Sequence, residues 1–161
     1  MYQELLEEIA KELEGRGEDL QPPCSADSLK QLGDMAQAVL SCSIPEEYTE
    51  FLSMTNGLDW NGLVIYASAT TPIVGLDDAL IQGFVEANFL WRDYKPNENY
   101  LIFGESGLSK YVYNTARSEY QVIDRSSMGI VESVESFTVL LKRAFWWITV
   151  ESNHDSVLNR S

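Results

Sequence analysis

The residues best suited to chemistry are few and poorly placed for it. The chain of 161 residues has one histidine, His154, and two cysteines, Cys24 and Cys42. A Ser–His or Cys–His nucleophile needs an imidazole within hydrogen-bond reach, and zinc needs three or four nitrogen or sulfur ligands. His154 stands in a polar terminal stretch, and the cysteines form no CxxC pair and have no histidine near them. Gly104-Glu105-Ser106-Gly107 lacks the GxSxG spacing of a nucleophile elbow, and no helical pattern follows it. Gly107-Leu108-Ser109-Lys110 lacks the spacing of a phosphate-binding loop. Both read as a turn between strands. Carboxylates abound, but the pairs Glu7-Glu8, Glu46-Glu47 and Asp77-Asp78 sit at helix starts or on a solvated helix face. Capping and solubility account for them there. A calcium loop of the DxDxDG type does not occur. These residues predict a chain that binds rather than catalyses, with no catalytic residue, metal or cofactor.

Charge says what it would bind. There are 25 acids against 11 bases, a net charge of −14. Residues 1–90 hold 16 acids and three bases, whereas residues 91–161 hold nine acids and eight bases. The first half owns nearly all the field, which repels nucleic acid and anionic membrane and attracts basic proteins. The 18 aromatic residues exclude wholesale disorder. The longest uncharged stretch, Trp60 to Leu76, is broken by Asn61, Gly62, Pro72 and Gly75, so it predicts no membrane span. The first residues, Met1-Tyr2-Gln3-Glu4, lack the basic and apolar regions of a signal peptide. The expectation is a cytoplasmic protein with reduced thiols.

The positioning elements follow from periodicity. Tyr2, Leu5, Leu6, Ile9 and Leu13 share one face of a helix over residues 2–14, which Gly15 ends. Gly17 to Pro23 reads as a linker, and a second helix runs from near Asp27 to about Val39. Ser43-Ile44-Pro45-Glu46-Glu47 is a helix start, and Asn56-Gly57 is its stop. Leu63 to Tyr66 is a strand. Asp77 to about Trp91 reads as a helix that Gly83 could split. Four strands follow, at 100–104, 109–114, 119–124 and 130–134, joined by short polar connections. The last helix, residues 136–149, has Ser136 as its cap and Phe137, Leu140, Leu141, Ala144, Phe145 and Ile148 on one face. Trp146 lies opposite that face. The expectation is that it packs on another element of the chain, with the acidic first helix as candidate, in preference to a second chain. The fold class is α+β, a mainly antiparallel sheet of about five strands with helices packed on it. Residues 1–27 form an acidic helix and linker, 28–150 one domain, and 151–161 a frayed polar tail.

Several of these pieces, in order, resemble the SUKH superfamily. Ile44-Pro45-Glu46-Glu47-Tyr48, then Phe51-Leu52 and Asn56-Gly57, is similar to its "LPxxYxxFLxxxNG" opening. Trp60 to Tyr66 resembles its first strand, and Tyr100 to Ser106 its "ylxFGes" strand and turn. Tyr111-Val112-Tyr113 and the Ser136-Phe137 helix start complete a match over roughly residues 28–148. The family includes fungal cell-wall assembly regulators of the Smi/Knr type and bacterial immunity proteins that neutralise a secreted toxin, often a nuclease. The resemblance implies an α+β fold and no shared catalytic set. At Ser106-Gly107-Leu108-Ser109-Lys110 many members have Gly-Asp before the next strand, so no ligand role of that turn carries over.

Two readings follow: an immunity protein of the toxin–antitoxin kind that binds a basic toxin, or a regulatory or scaffolding domain of the cell-wall regulator type. The partner-binding candidates are Asp59, Asp77, Asp78, Glu86 and Asp93, which lie at loops and element ends. Trp60 and Trp91 are the candidate aromatic anchors. The protein itself is expected to be a monomer or a homodimer.

Overall fold

Short polar connections leave consecutive strands little choice but to pair with each other, and most of this sheet grows in that way. The structure is a computed structural model that describes residues 3–158, with side chains for residues 3–150. Eight strands are present: β1 (Leu58–Trp60), β2 (Leu63–Ile65), β3 (Thr71–Pro72), β4 (Leu80–Ile81), β5 (Tyr100–Glu105), β6 (Ser109–Asn114), β7 (Glu119–Asp124) and β8 (Ile130–Val134). Six of them form one antiparallel sheet in the order β1-β2-β5-β6-β7-β8, and β3 and β4 form a separate hairpin. The helices are α1 (Gln3–Gly15), α2 (Ala26–Met35), α3 (Glu46–Met54), α4 (Phe84–Asp93) and α5 (Phe137–Leu158). The α+β expectation therefore holds, with one more strand in the main sheet than expected and an added hairpin.

The helices form where apolar residues recur every three or four positions, and each buries that stripe. Leu6, Ile9 and Leu13 of α1 join the same buried cluster as the sheet. Ser25 caps α2 by accepting from the Ser28 N–H at 3.1 Å. Tyr48, Phe51 and Leu52 of α3 are fully buried. The Tyr48 ring meets Phe84, Phe103 and Phe137 at 5.5, 5.2 and 5.3 Å between centroids, so α3, α4, β5 and α5 share one aromatic centre. Burying each ring contributes roughly 1.5–3 kcal/mol. The Tyr48 hydroxyl donates to the Tyr66 carbonyl at 2.6 Å, which satisfies the one polar atom that α3 takes into this centre.

Two polar side chains tie distant elements together. Asn88 of α4 is fully buried. Its Nδ2 donates to the carbonyls of Phe84 (2.9 Å) and Ile102 (2.8 Å), and its Oδ1 accepts from the Ile102 N–H at 2.7 Å. Its amide thus treats Ile102 as a neighbouring strand would, beside the irregular step between Ile102 and Gly104 of β5. Glu47 Oε2 accepts from Thr138 N (2.7 Å) and Thr138 Oγ1 (2.8 Å), so α3 supplies a carboxylate to the N-terminus of α5. Ser136 caps the same end, as expected, by accepting from the Val139 N–H. Gly57, at φ +87, stops α3 where a Cβ would come within 3.0–3.1 Å of Ile81, Ala67 and the Ile65 carbonyl.

Other expectations need correction. The segment 77–91 is not one helix. Residues up to Ile81 return along β3, and α4 starts only after Gly83. A Cβ on Gly83 would lie 2.6 Å from Thr70 N, so the chain crosses itself there and the helix cannot extend back through it. The second helix ends at Met35 and continues as a π-turn, Ala36–Leu40, closed by Ser41 at φ 54. In place of a frayed tail, α5 continues to Leu158. Trp146 is 52% exposed, and among the described residues its one ring contact is with its neighbour Trp147 rather than with α1. Tyr2 and the side chain of His154 lie outside the described residues. Among the described residues no helix is long and apolar enough to cross a membrane.

Candidate partner-binding surface

The β1–β2 turn decides which side chains of β1 reach solvent. Asn61 (φ 50) and Gly62 (φ 84) both adopt the left-handed region that a two-residue hairpin turn requires. Alternation along β1 then points Leu58 and Trp60 inward and Asp59 outward. Trp60 packs edge-on against Phe145, with centroids 6.1 Å apart, and its Nε1 donates to Glu12 Oε2 at 3.2 Å. Asn61 Nδ2 donates to Glu12 Oε1 (3.3 Å), and Arg16 donates to Asn61 Oδ1 (2.9 Å) and to the Glu12 carboxylate. Burial opposes ionisation of Glu12, but the bonds from Asn61 and Trp60 and the Arg16 guanidinium outweigh it and hold its carboxyl below the usual range. Trp60 is therefore a core residue that anchors α1 and leaves little ring for a partner.

The linker after α1 is docked against the hairpin. The buried Gln21 amide donates to the Pro72 carbonyl at 3.0 Å and accepts from the Val74 N–H at 2.8 Å. The Pro22 carbonyl accepts from Asn56 N. This brings Glu18 and Asp19 beside Asp59 around a cleft of about 220 Å³, whose far wall is Ile73, Val74 and Leu76. Burial, then the charge of Glu18, raises the Asp59 carboxyl above its ordinary range. Among the described residues none of these three acids has an ion-pair partner. Leu76 and Ala79 of the cleft wall flank Asp77 and Asp78, which are exposed at the hairpin turn, Asp78 at φ 60. Asp59, Asp77 and Asp78 thus share one rim of the molecule.

The remaining candidates stand elsewhere, along α4. Glu86 is exposed in its first turn. Trp91 is half-buried with the Lys110 ammonium 4.4 Å from its ring centroid, so one face is already taken. Asp93 is exposed at the end of α4, beside a shallow depression lined by Val39 and Phe89. Arg92 is spent locally on the carbonyls of Leu40 (3.1 Å) and Glu98 (3.0 Å). Trp60 and Trp91 do not form one aromatic patch, since Trp60 sits over Phe145 and Trp91 under Lys110.

Glu18 and Asp19 escape a sequence reading because they lie some forty residues from Asp59 and converge only through Gln21. The exposed residues Phe89 and Leu90 on α4 and Tyr94 just after it also escape it, since a helix read from Asp77 absorbs Phe89 and Leu90 into an apolar stripe. Among the described residues no group of three or more His, Cys, Asp or Glu side chains could hold a metal ion, and Cys24 and Cys42 are free thiols. Burial pushes the Cys42 thiol up, away from the reactive thiolate, against the pull of Arg92. No protein-family model matches the chain, and no curated protein matches it in sequence.

Proposed function

We propose that this chain is a non-catalytic protein-binding domain that recognises a basic protein surface, in the manner of an immunity protein that occludes a basic toxin. One observation carries the reading: Glu18, Asp19 and Asp59 converge on one cleft whose lining cation, Arg16, is already bound to Glu12 and Asn61, and burial followed by the charge of Glu18 holds Asp59 above its ordinary range. A Lys or Arg presented by a partner relieves the crowding, and Asp77 and Asp78 extend the same sign of field along the rim. The SUKH resemblance and the charge of the first half support the same reading, with partner recognition in the cytoplasm.

The exposed apolar residues Phe89, Leu90 and Tyr94 favour a second reading, a regulatory or scaffolding domain that holds a cellular protein through α4. Binding kinetics against the product of the adjoining gene, if basic, separate the two. An acidic cleft steers encounter, so the on-rate falls by about tenfold or more between roughly 50 and 500 mM salt. Asp59→Lys with Asp77→Lys and Asp78→Lys weakens binding while the fold survives. Phe89→Ser with Leu90→Ser leaves binding intact under the first reading and abolishes it under the second. A salt-indifferent on-rate, or turnover of any substrate by the protein alone, rejects the proposed mechanism.

A further inference from the structure

A second concavity lies away from the acidic cleft, over the middle of the sheet. It is a groove of about 520 Å³ between the 42–45 segment and strands β5, β6 and β7. That size suits a small organic ligand. Its floor is Leu101 and Phe103, both buried, and Ile44 and Pro45 form one wall. The opposite wall is the pair Tyr113 and Tyr120, with ring centroids 4.8 Å apart and planes inclined at 57°. Among the described residues neither phenol hydroxyl has a hydrogen-bond partner. Burial, then Glu47 and Tyr113, pushes the Tyr120 hydroxyl up to about 12, so it stays a neutral phenol.

Glu135 is the charged side chain that lines the groove, and Arg117, in the turn between the lining Thr115 and Ser118, is paired with Glu119 at 3.7 Å. Glu135 stands at the rim, exposed and without an ion-pair partner among the described residues, and no Lys, Arg or His lines the groove. The neighbouring start of α5 offers an anion little, because Glu47 and Ser136 already occupy the N–H groups of Thr138 and Val139. Arg92, the cation acting on Cys42 at the far end, is turned to the carbonyls of Leu40 and Glu98. An apolar floor, one wall of two tyrosines with free hydroxyls and one unmatched carboxylate suit a cation on an apolar body.

We infer that this groove binds a small organic amine, its flat apolar body lying on Leu101 and Phe103 and its ammonium directed to Glu135 and the phenol oxygens of Tyr113 and Tyr120. The site is independent of the acidic cleft and of the partner proposed for it.

Titration of the full chain with phenethylamine, phenethyl alcohol and phenylacetate, followed by NMR, tests the assignment. Phenethylamine binds with a dissociation constant on the order of millimolar, as its size dictates. It shifts the resonances of Tyr113, Tyr120 and Leu101. The alcohol binds about fivefold more weakly, and the carboxylate gives no saturable shift. Glu135→Gln removes the preference of amine over alcohol and leaves alcohol binding unchanged, which a merely structural role would not do. Tyr120→Phe weakens the amine with the spectrum otherwise native. Equal binding of phenylacetate, an unchanged preference in Glu135→Gln, shifts confined to other residues, or no shift at Tyr113 and Tyr120 at about 20 mM amine each overturn the inference.

Discussion

Replacing Asn88 by Ala removes three hydrogen bonds in a fully buried position and changes little else. Phe84 O is a helical carbonyl with its own helical acceptor role, so its loss is small. Ile102 is different, since its N–H and its carbonyl both lose the Asn88 amide where water cannot replace it. An unsatisfied buried group costs about 1–3 kcal/mol, so the pair costs about 2–6 kcal/mol. For a domain of this size the midpoint of thermal unfolding drops by roughly 2–4 °C per kcal/mol, or about 4–24 °C in all. Urea denaturation gives the same loss as a lower midpoint with an unchanged slope. Asn88→Asp sharpens the test: it keeps an acceptor for the Ile102 N–H but sets carboxylate oxygen against two carbonyls. It is therefore at least as damaging near neutrality, and recovers partly in acid where the protonated carboxyl can donate. A stability within about 0.5 kcal/mol of the parent for Asn88→Ala refutes the claim that this amide ties α4 to β5.

Two further outcomes follow from side chains at helix and turn ends. Glu47→Ala removes the carboxylate from the start of α5 and costs about 1–2 kcal/mol in denaturant titration, whereas Glu47→Gln, which still accepts from Thr138, loses less; equal losses reject the capping role. The Asp124 carboxyl is held down to about 2 by bonds from the Ser127 N–H and from the Ser126 and Ser127 hydroxyls. Because its folded value is depressed, the stability it contributes is complete above its ordinary 3.8 and is lost as pH falls toward about 2. Carbon NMR of the Asp124 carboxyl reads a midpoint near that lower value, and a midpoint at the ordinary one removes the turn's hydrogen bonds from consideration.

What the sequence shows and hides divides along the range of the interactions. The strands from Tyr100 to Val134 are legible because apolar alternation and turn residues are local signals, and β6 pairs with β7 in full register from Ser109–Asp124 to Asn114–Glu119. Ser136, Asn56 and Gly57 are legible for the same reason. The β3–β4 hairpin is hidden because Leu80 and Phe84 happen to fall at helical spacing, while the decisive fact, the close crossing at Gly83, is tertiary. The outward position of Trp146 on its helix is readable, but its partner is not. Among the described residues the first helix fixes Glu12 on Trp60 and Asn61. Of the candidate surface, Asp59, Asp77 and Asp78 are visible as acids at turns and element ends. Their company of Glu18 and Asp19 depends on Gln21 binding the hairpin backbone across 51 and 53 positions. The groove over Leu101 and Phe103 is equally invisible, since its walls come from three separate stretches.

The register of the outermost strands has a consequence for how anything can attach to this sheet. An open sheet ends in two rows of backbone groups able to template another strand, and natural proteins spoil such ends. Here β1 is three residues long and carries an acid at its centre. At the other end β8 slips register against β7 between the Val122–Glu132 and Ile123–Ile130 pairs, which puts a bulge in the last strand. Neither end offers a straight ladder of appreciable length. Adding a strand, whether from another copy or from an extended peptide, is thereby discouraged. Any partner of this chain is left to side chains on loops and faces, where a substitution does not disturb the backbone hydrogen bonds beneath.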